Sequence, residues 1–310
     1  MALTAVAGIG GQLSLGPLLF HWPAEQMRDF YFRLADEAPL DSVCLGEVVC
    51  SKREAFFGNY FVEVMDRLAA GGKRVVVSSL ALVMSEKERH RIKALAGTDA
   101  TVEANDLSAV AALAGHDFHV GPFVNVYNEG TLAYLVGSGA RRVCLPAELP
   151  ATAIAVLAAQ GLCEIEVQAF GRAPLAMSAR CYHARSRDLH KDGCQYVCGE
   201  DADGMAVDTM DGQSFLAVNG TQTMSGHYLN LLADLAGLRA AGVTGFRLWP
   251  HSCDMAAVAG LYRAVLDGRL DGGEAARRLA ELVPEASFAN GYAHGLEGHR
   301  LIEDGLSICR

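Results

Sequence analysis

Along the first two thirds of the chain, hydrophobic positions alternate between two spacings. Short apolar runs bounded by turn residues predict strands at 14–20, 42–48, 74–80, 100–104, 118–126, 141–145 and 163–169. Between them, apolar residues recur at helical spacing, predicting helices at 24–35, 56–70, 85–95, 107–114, 129–135 and 151–159. In the first of these, Met27, Phe30, Tyr31 and Leu34 share one face. The third opens on Ser85, a good capping residue, with Glu86 and Glu88 in its first turn, where they favour the positive end of the helix.

Strand followed by helix, repeated this often, implies a mostly parallel sheet covered by helices. At this count the natural form is an α/β barrel-like closure, with an open doubly wound sheet as the alternative. No glycine-rich dinucleotide fingerprint follows the first strand, which weakens that alternative. The pattern breaks after Phe170. Residues 171–212 show little periodicity and are rich in Arg, Asp, Gly and Cys. An irregular insertion of this length inside a compact domain needs a stabilising reason, and metal ligation is one. Regular signals resume with a strand at 215–218, a helix at 225–239, a strand at 246–249 and helices at 254–266 and 274–282. The expected organisation is a loose N-terminal extension over 1–13 and one α/β domain over 14–310.

Composition narrows the class. The chain has 310 residues, 51% hydrophobic and 20% charged, which suits a folded domain with a large core. Its formal net charge of -10 gives no general reason to expect binding to nucleic acid or attraction to an anionic membrane. No run is long and apolar enough to cross a bilayer, and the start lacks a positively charged leader region. A cytoplasmic location is expected. The nine cysteines are then thiols rather than a disulfide framework.

Three of those thiols fall in the irregular segment as Cys181-x12-Cys194-x3-Cys198. Thiolates are soft ligands for iron–sulfur clusters or zinc. Structural zinc usually draws on paired C-x2-C knuckles, which are absent, but spacing alone leaves both metals open. A four-thiolate site needs a fourth member, from Cys44, Cys50, Cys144 or Cys253. Cys50 is best placed, just past the carboxyl end of the second strand, where β/α folds assemble their sites. Cys44 and Cys144 lie inside strands and read as core; Cys163 and Cys309 have no supporting context.

Several blocks now carry a resemblance: Ser14-Leu-Gly-Pro with Trp22-Pro23, Leu45-Gly-Glu-Val-Val-Cys-Ser-Lys-Arg53, Ser79-Leu-Ala-Leu-Val83, Arg142-Val-Cys-Leu-Pro-Ala-Glu-Leu149, Met177-Ser-Ala-Arg-Cys181 and Asn219-Gly-Thr-Gln-Thr-Met-Ser-Gly226. Together they resemble the collagenase-like peptidase family, in particular its branch in oxygen-independent ubiquinone biosynthesis. The likeness runs from about Ser14 to about Pro250. It implies a barrel-like fold and a 4Fe-4S cluster on Cys50, Cys181, Cys194 and Cys198. It also implies a heterodimer with a UbiU-type partner protein, and a role in hydroxylating the prenylated phenolic precursor of the quinone without molecular oxygen. Relatives with peptidase character, and the UbiU-type partner, carry a cysteine in the segment where this chain has Ala176. Nothing resembles a membrane anchor, so the apolar precursor is expected from a lipid-binding protein or through a cleft shared with the partner. The competing expectations are a peptidase of the same family, a zinc-stabilised binding module and an RNA-modifying role.

Other polar residues carry less weight. Lys52, Arg53, Arg180 and Arg185 flank the cysteines, where positive charge favours a reduced cluster; surface solvation is the plainer reading of each. Glu47 and Glu148 end predicted strands. His119, Asn125 and Tyr127 share one parity along a regular fifth strand, and Asn219 and Gln222 lie near another strand end. No Ser-His-Asp or Cys-His signature is visible.

Overall fold

The structure, a computed structural model, describes residues 10–306. The expected 1–13 extension lies largely outside this range, as does Cys309. Seven strands alternate with helices in chain order: β1 (Gln12–Leu15), α1 (Ala24–Glu37), β2 (Ser42–Leu45), α2 (Glu54–Phe57), α3 (Phe61–Ala70), β3 (Arg74–Ser78), α4 (Glu86–Ala96), β4 (Val102–Ala104), α5 (Leu107–Ala112), β5 (Phe118–Val120), α6 (Glu129–Ser138), β6 (Ala140–Cys144), α7 (Ala151–Ala159) and β7 (Glu164–Met177). An excursion follows, with α8 (Tyr182–Arg185), β8 (Met205–Asp208), β9 (Ser214–Asn219) and β10 (Gln222–Asn230). The chain then returns through α9 (Leu235–Ala240) to β11 (Gly245–Leu248), α10 (Met255–Leu266), α11 (Gly272–Leu282) and the short β12 (Phe288–Ala289).

β11 pairs in parallel with both β1 and β7, so β1 to β7 and β11 close an eight-stranded, all-parallel barrel with flanking helices. This is the TIM-barrel-like form, not the open sheet. Strand alternation explains the two layers. In β1 and β11, Leu13 and Phe246 pair, then Ser14 and Arg247, then Leu15 and Leu248. All six are buried. The apolar parity joins the main hydrophobic core, while the polar parity forms a network across several strands. There Arg247 pairs with Glu103 and with Glu166 (2.6 Å), and Ser14 Oγ donates to Glu166 at 2.6 Å. Buried charges on this scale persist only when paired.

Helix starts follow local chemistry. Ser85 and Glu88 form a reciprocal capping box at α4, and Asp106, Asn128, Asp254 and Asp271 cap α5, α6, α10 and α11.

Several expected boundaries move. The first strand begins at Gln12 and ends at Leu15, and the helix expected at 56–70 divides into α2 and α3. The strand expected at 118–126 stops at Val120, because Pro122 opens a tight turn that ends on Asn125 in the left-handed region. The largest correction is the helix expected at 225–239. Its first part is the end of β10, paired with β7; a 3-10 turn at Leu232–Asp234 follows, and only Leu235–Ala240 is α-helical. The irregular region is also shorter than expected. β7 continues to Met177 and, beyond the ring, turns antiparallel to β10, with a register shift where Met224 meets Pro174.

Candidate metal centre

Cys50 follows the carboxyl end of β2, and the excursion between β7 and β10 leaves the ring at the same end. All four expected cysteines, Cys50, Cys181, Cys194 and Cys198, line one small pocket there. Cys181 and Cys198 are buried and the other two half-buried; none forms a disulfide. Cys44 and Cys144 lie in the barrel interior, where Cys44 Sγ approaches Glu103 at 3.8 Å, and neither reaches the thiol pocket.

The convergence has identifiable supports. Glu47 Oε1 accepts the backbone N–H groups of Val49 and Cys50, both at 2.8 Å, and so shapes the loop that presents Cys50. Lys52 Nζ crosses to the excursion, donating to Lys191 O (2.6 Å) and Asp192 Oδ1 (2.9 Å). The turn between β9 and β10 clasps the other side. There Thr221 Oγ1 donates to Val49 O at 3.1 Å, and Thr221 O accepts Ser178 N–H at 2.9 Å. Cys181 opens α8, its sulfur accepting Ala184 N–H at 3.4 Å. Gln195 and Tyr196 both take left-handed backbone angles, a costly arrangement between two site cysteines. Trp22 Nε1 donates to Ala202 O at 2.7 Å. His251 accepts Arg172 N–H on Nε2 at 2.9 Å while its Nδ1 faces Asp203 at 3.3 Å; these contacts fasten the excursion to the barrel.

Arg53 is the central cation. Its guanidinium is buried, donating to Leu19 O (2.8 Å) and Asn219 Oδ1 (3.0 Å), while Nε has no hydrogen-bond partner. Its nearest opposing charges are the Glu47 carboxylate and, when deprotonated, the Cys198 and Cys50 thiolates. Burial pushes the Cys50 thiol up, and burial does the same at Cys198 against the pull of Arg53. An incoming cation must displace those protons, and thiolates would then supply the anionic partners a buried guanidinium requires. The donor set therefore fits a thiolate-ligated group.

Among the described residues, no three His, Cys, Asp or Glu side chains are arranged to share a single metal ion. Around one zinc, at about 2.3 Å per thiolate, the sulfurs must crowd together. In a four-iron cubane each thiolate binds a different iron, so its sulfurs stand farther apart.

The remaining sequence candidates separate clearly. Glu47, Lys52 and Arg53 belong to the site, and Asn219 holds Arg53 with Gln222 beside it. Arg180 and Arg185 are exposed. His119 is buried near the barrel network, whereas Tyr127 is exposed and donates to Glu148 at 2.9 Å; the turn after β5 breaks their shared parity. Ala176 lies on β7 opposite Thr223, outside the pocket lining. Sequence reasoning marked Trp22 only as part of the resemblance, without its role in holding the excursion, and missed Tyr196 and the His251–Asp203 clasp, which have no local pattern to mark them.

Comparison with known proteins gives a family match across residues 25–303, to Peptidase family U32. The chain belongs to peptidase family U32. The matched residues take in every barrel strand except β1 and the whole cysteine-bearing excursion. Among solved structures, dihydropteroate synthase from Thermus thermophilus matches at 14% identity and a TM-score of 0.40, over 83% of this chain and 94% of that one. Phospho-2-dehydro-3-deoxyheptonate aldolase from Thermotoga maritima matches at 12% and 0.41, over 93% and 74%. Tryptophan synthase from Mycobacterium tuberculosis matches at 11% and 0.30, over 88% and 93%.

Proposed function

We propose that this U32-family chain is a UbiV-type iron–sulfur protein. In this reading it holds a 4Fe-4S cluster on Cys50, Cys181, Cys194 and Cys198. It acts with a UbiU-type partner in oxygen-independent hydroxylation of the ubiquinone ring precursor. The observation that carries this is the meeting in one pocket of a thiol from the β2 loop, Cys50, with three from a segment far along the chain, Cys181, Cys194 and Cys198. The buried Arg53 beside them, with its unpartnered Nε, adds to it. When bound, the cluster supplies one-electron transfer. The chain's own residues hold the sulfurs, keep a positive charge beside them and limit water at the site.

The histidine–carboxylate pairs weigh against a peptidase role; His294 meets Asp234 (3.0 Å) and Asn290 (3.3 Å) through Nε2. His251 has both ring nitrogens engaged, by Arg172 N–H and Asp203, and His183 faces Asp201 on Nε2 at 2.8 Å with its Nδ1 buried and unpartnered. Among the described residues none of these three rings is hydrogen-bonded to a serine or cysteine nucleophile, as acyl-transfer chemistry requires. No helix among the described residues is long and apolar enough to cross a membrane.

The test is genetic and chemical. The chain is expressed with a UbiU-type partner in a bacterium lacking its own pair and grown without oxygen, and cellular ubiquinone is measured. Restored ubiquinone that is lost on Cys181→Ala supports the reading. Ubiquinone at background levels with both proteins present and loaded with iron refutes it.

A further inference from the structure

Beside the thiol pocket lies a second, larger cavity of about 410 Å³. It sits outside the barrel ring, between the carboxyl ends of β2 and β3 and the helices α1 to α4. Met27, Tyr31, Phe61, Ile92 and Leu95 give it apolar walls. Its rim reaches solvent: Val62 is exposed, and so are Glu54 and Arg91, which pair between α2 and α4. Arg53, held by Leu19 O and Asn219, lines both cavities. Three rings complete the wall between them. His21 and Phe56 line the larger cavity, and Tyr196 lines the thiol pocket. Their centroids lie 5.0 Å (His21–Phe56), 4.6 Å (Phe56–Tyr196) and 5.7 Å (His21–Tyr196) apart, so each ring packs on the other two. The three come from separate stretches of chain: the loop after β1, helix α2 and the excursion.

We infer that the Tyr196 ring, seated on His21 and Phe56, is a barrier that keeps small uncharged solutes entering the apolar cavity, dioxygen above all, away from the site thiols. Apolar cavities stay dry and take up small non-polar molecules such as xenon or benzene. A cavity of this kind, open at its rim and one side chain from four cysteines, would otherwise feed an apolar oxidant straight to them. Oxidation of sulfur sites follows access, so the wall decides how long the site survives. The backbone agrees. Gln195 and Tyr196 are both left-handed without being glycine, and such angles persist only where the surroundings over-determine them. The ring contacts with His21 and Phe56 supply that determination and lay Tyr196 across the side of the thiol pocket nearest the cavity. Cys181 and Cys198, the two buried thiols, are the ones such a wall protects. The inference rests on the proposed function only for the cluster; the barrier belongs equally to the cluster-free chain.

The experiment uses the full chain, purified without oxygen, and has two arms. In the first, the chain is mixed with air-saturated buffer and the loss of cluster absorbance is timed, normalised to the starting iron. Dioxygen takes one electron from a bound cluster and leaves as superoxide, after which iron is released. Tyr196→Ala, which keeps the same left-handed backbone cost but no ring, should bleach about tenfold faster than the parent, and Tyr196→Phe within about twofold of it. Leu95→Trp, or Met27→Trp from another wall, fills the cavity; added to Tyr196→Ala, either should return bleaching to within about twofold of the parent. In the second arm the metal-free chain is alkylated with N-ethylmaleimide, compact and uncharged, and the sites are mapped by mass spectrometry. Cys181 and Cys198 should react about tenfold faster in Tyr196→Ala and slow again with either tryptophan, while Cys253, outside the pocket, keeps its rate. A Tyr196→Ala chain that bleaches and alkylates at the parent rate overturns the inference. So does acceleration that neither tryptophan reverses, because Tyr196 would then act only by holding its own loop. A parent chain without iron and sulfide removes the cluster reading, and the alkylation arm alone then decides the barrier.

Discussion

Gly220 gives the sharpest mechanical test of how Arg53 is held. It sits in the β9–β10 turn with φ +63°, and a Cβ there would stand 2.6 Å from Arg53 Nη2. Gly161, just after α7, has nearly the same backbone angle, φ +62°, but nothing lies within 4 Å of where its Cβ would be. Alanine at either position bears the left-handed backbone cost, roughly 1–2 kcal/mol. At Gly220 it must also displace the guanidinium. That breaks the Nη2 bond to Asn219, and a bond to a charged group contributes about 1.5–3 kcal/mol. Gly220→Ala should therefore be destabilised by about 2 kcal/mol more than Gly161→Ala. For a chain of 310 residues that separates their melting temperatures by about 3 °C. Urea and thermal melts of the two variants, at matched iron content, measure the difference. If the two lose the same stability within about 0.5 kcal/mol, the guanidinium is not fixed where the structure places it.

Further outcomes follow from buried polar groups. Arg247→Met strands Glu103 and Glu166 inside the barrel and should cost about 3–5 kcal/mol, whereas combining it with Glu103→Gln and Glu166→Gln should recover part of that, both read from urea midpoints. His251→Ala leaves the Arg172 N–H without its acceptor and releases Asp203, so it should lower stability by about 1–3 kcal/mol and speed proteolysis within 201–212; unchanged cleavage there would argue against a clasp. Burial lowers the pKa of His119, His183 and His251, and of His21 to about 4. The unfolded chain therefore takes up protons below about pH 6.5 that the folded chain refuses, and stability should fall on acidification toward pH 4 by at most about 1.4 kcal/mol per pH unit for each such histidine. Melts that stay flat from pH 7 to 5 would contradict this.

The barrel was legible because its signals are local. Capping residues such as Ser85 and Asp106 mark helix starts, and the strand runs are short, apolar and bounded by turns. The excursion was not, because its order depends on distant pairing. Met224, Tyr228, Leu231, Leu235 and Leu238 suit a helical face, yet β7 pairs along Gln222–Asn230 on one side, with β9 at Gln222–Ser225 and β12 at Tyr228–Leu229 on the other, and this pairing overrides that preference. The Cys181, Cys194 and Cys198 trio stood out by spacing, and Cys50 by its place after a strand. Arg53 did not, since a charged residue after a strand end normally reads as solvated. Only the fold reveals that Leu19, Asn219 and two cysteines surround it. The large apolar cavity has no sequence signature at all, because its walls come from separate helices that each look like ordinary core.

Counting metal on protein purified without oxygen is the most direct check on the thiol pocket as a cluster site. The parent chain should hold about four irons and about four acid-labile sulfides, as befits one cubane. Cys50→Ala should lose most of both, while Cys253→Ala, altered outside the pocket, keeps them. Zinc in place of iron in the parent, or a full complement of iron and sulfide in Cys50→Ala, would contradict the account.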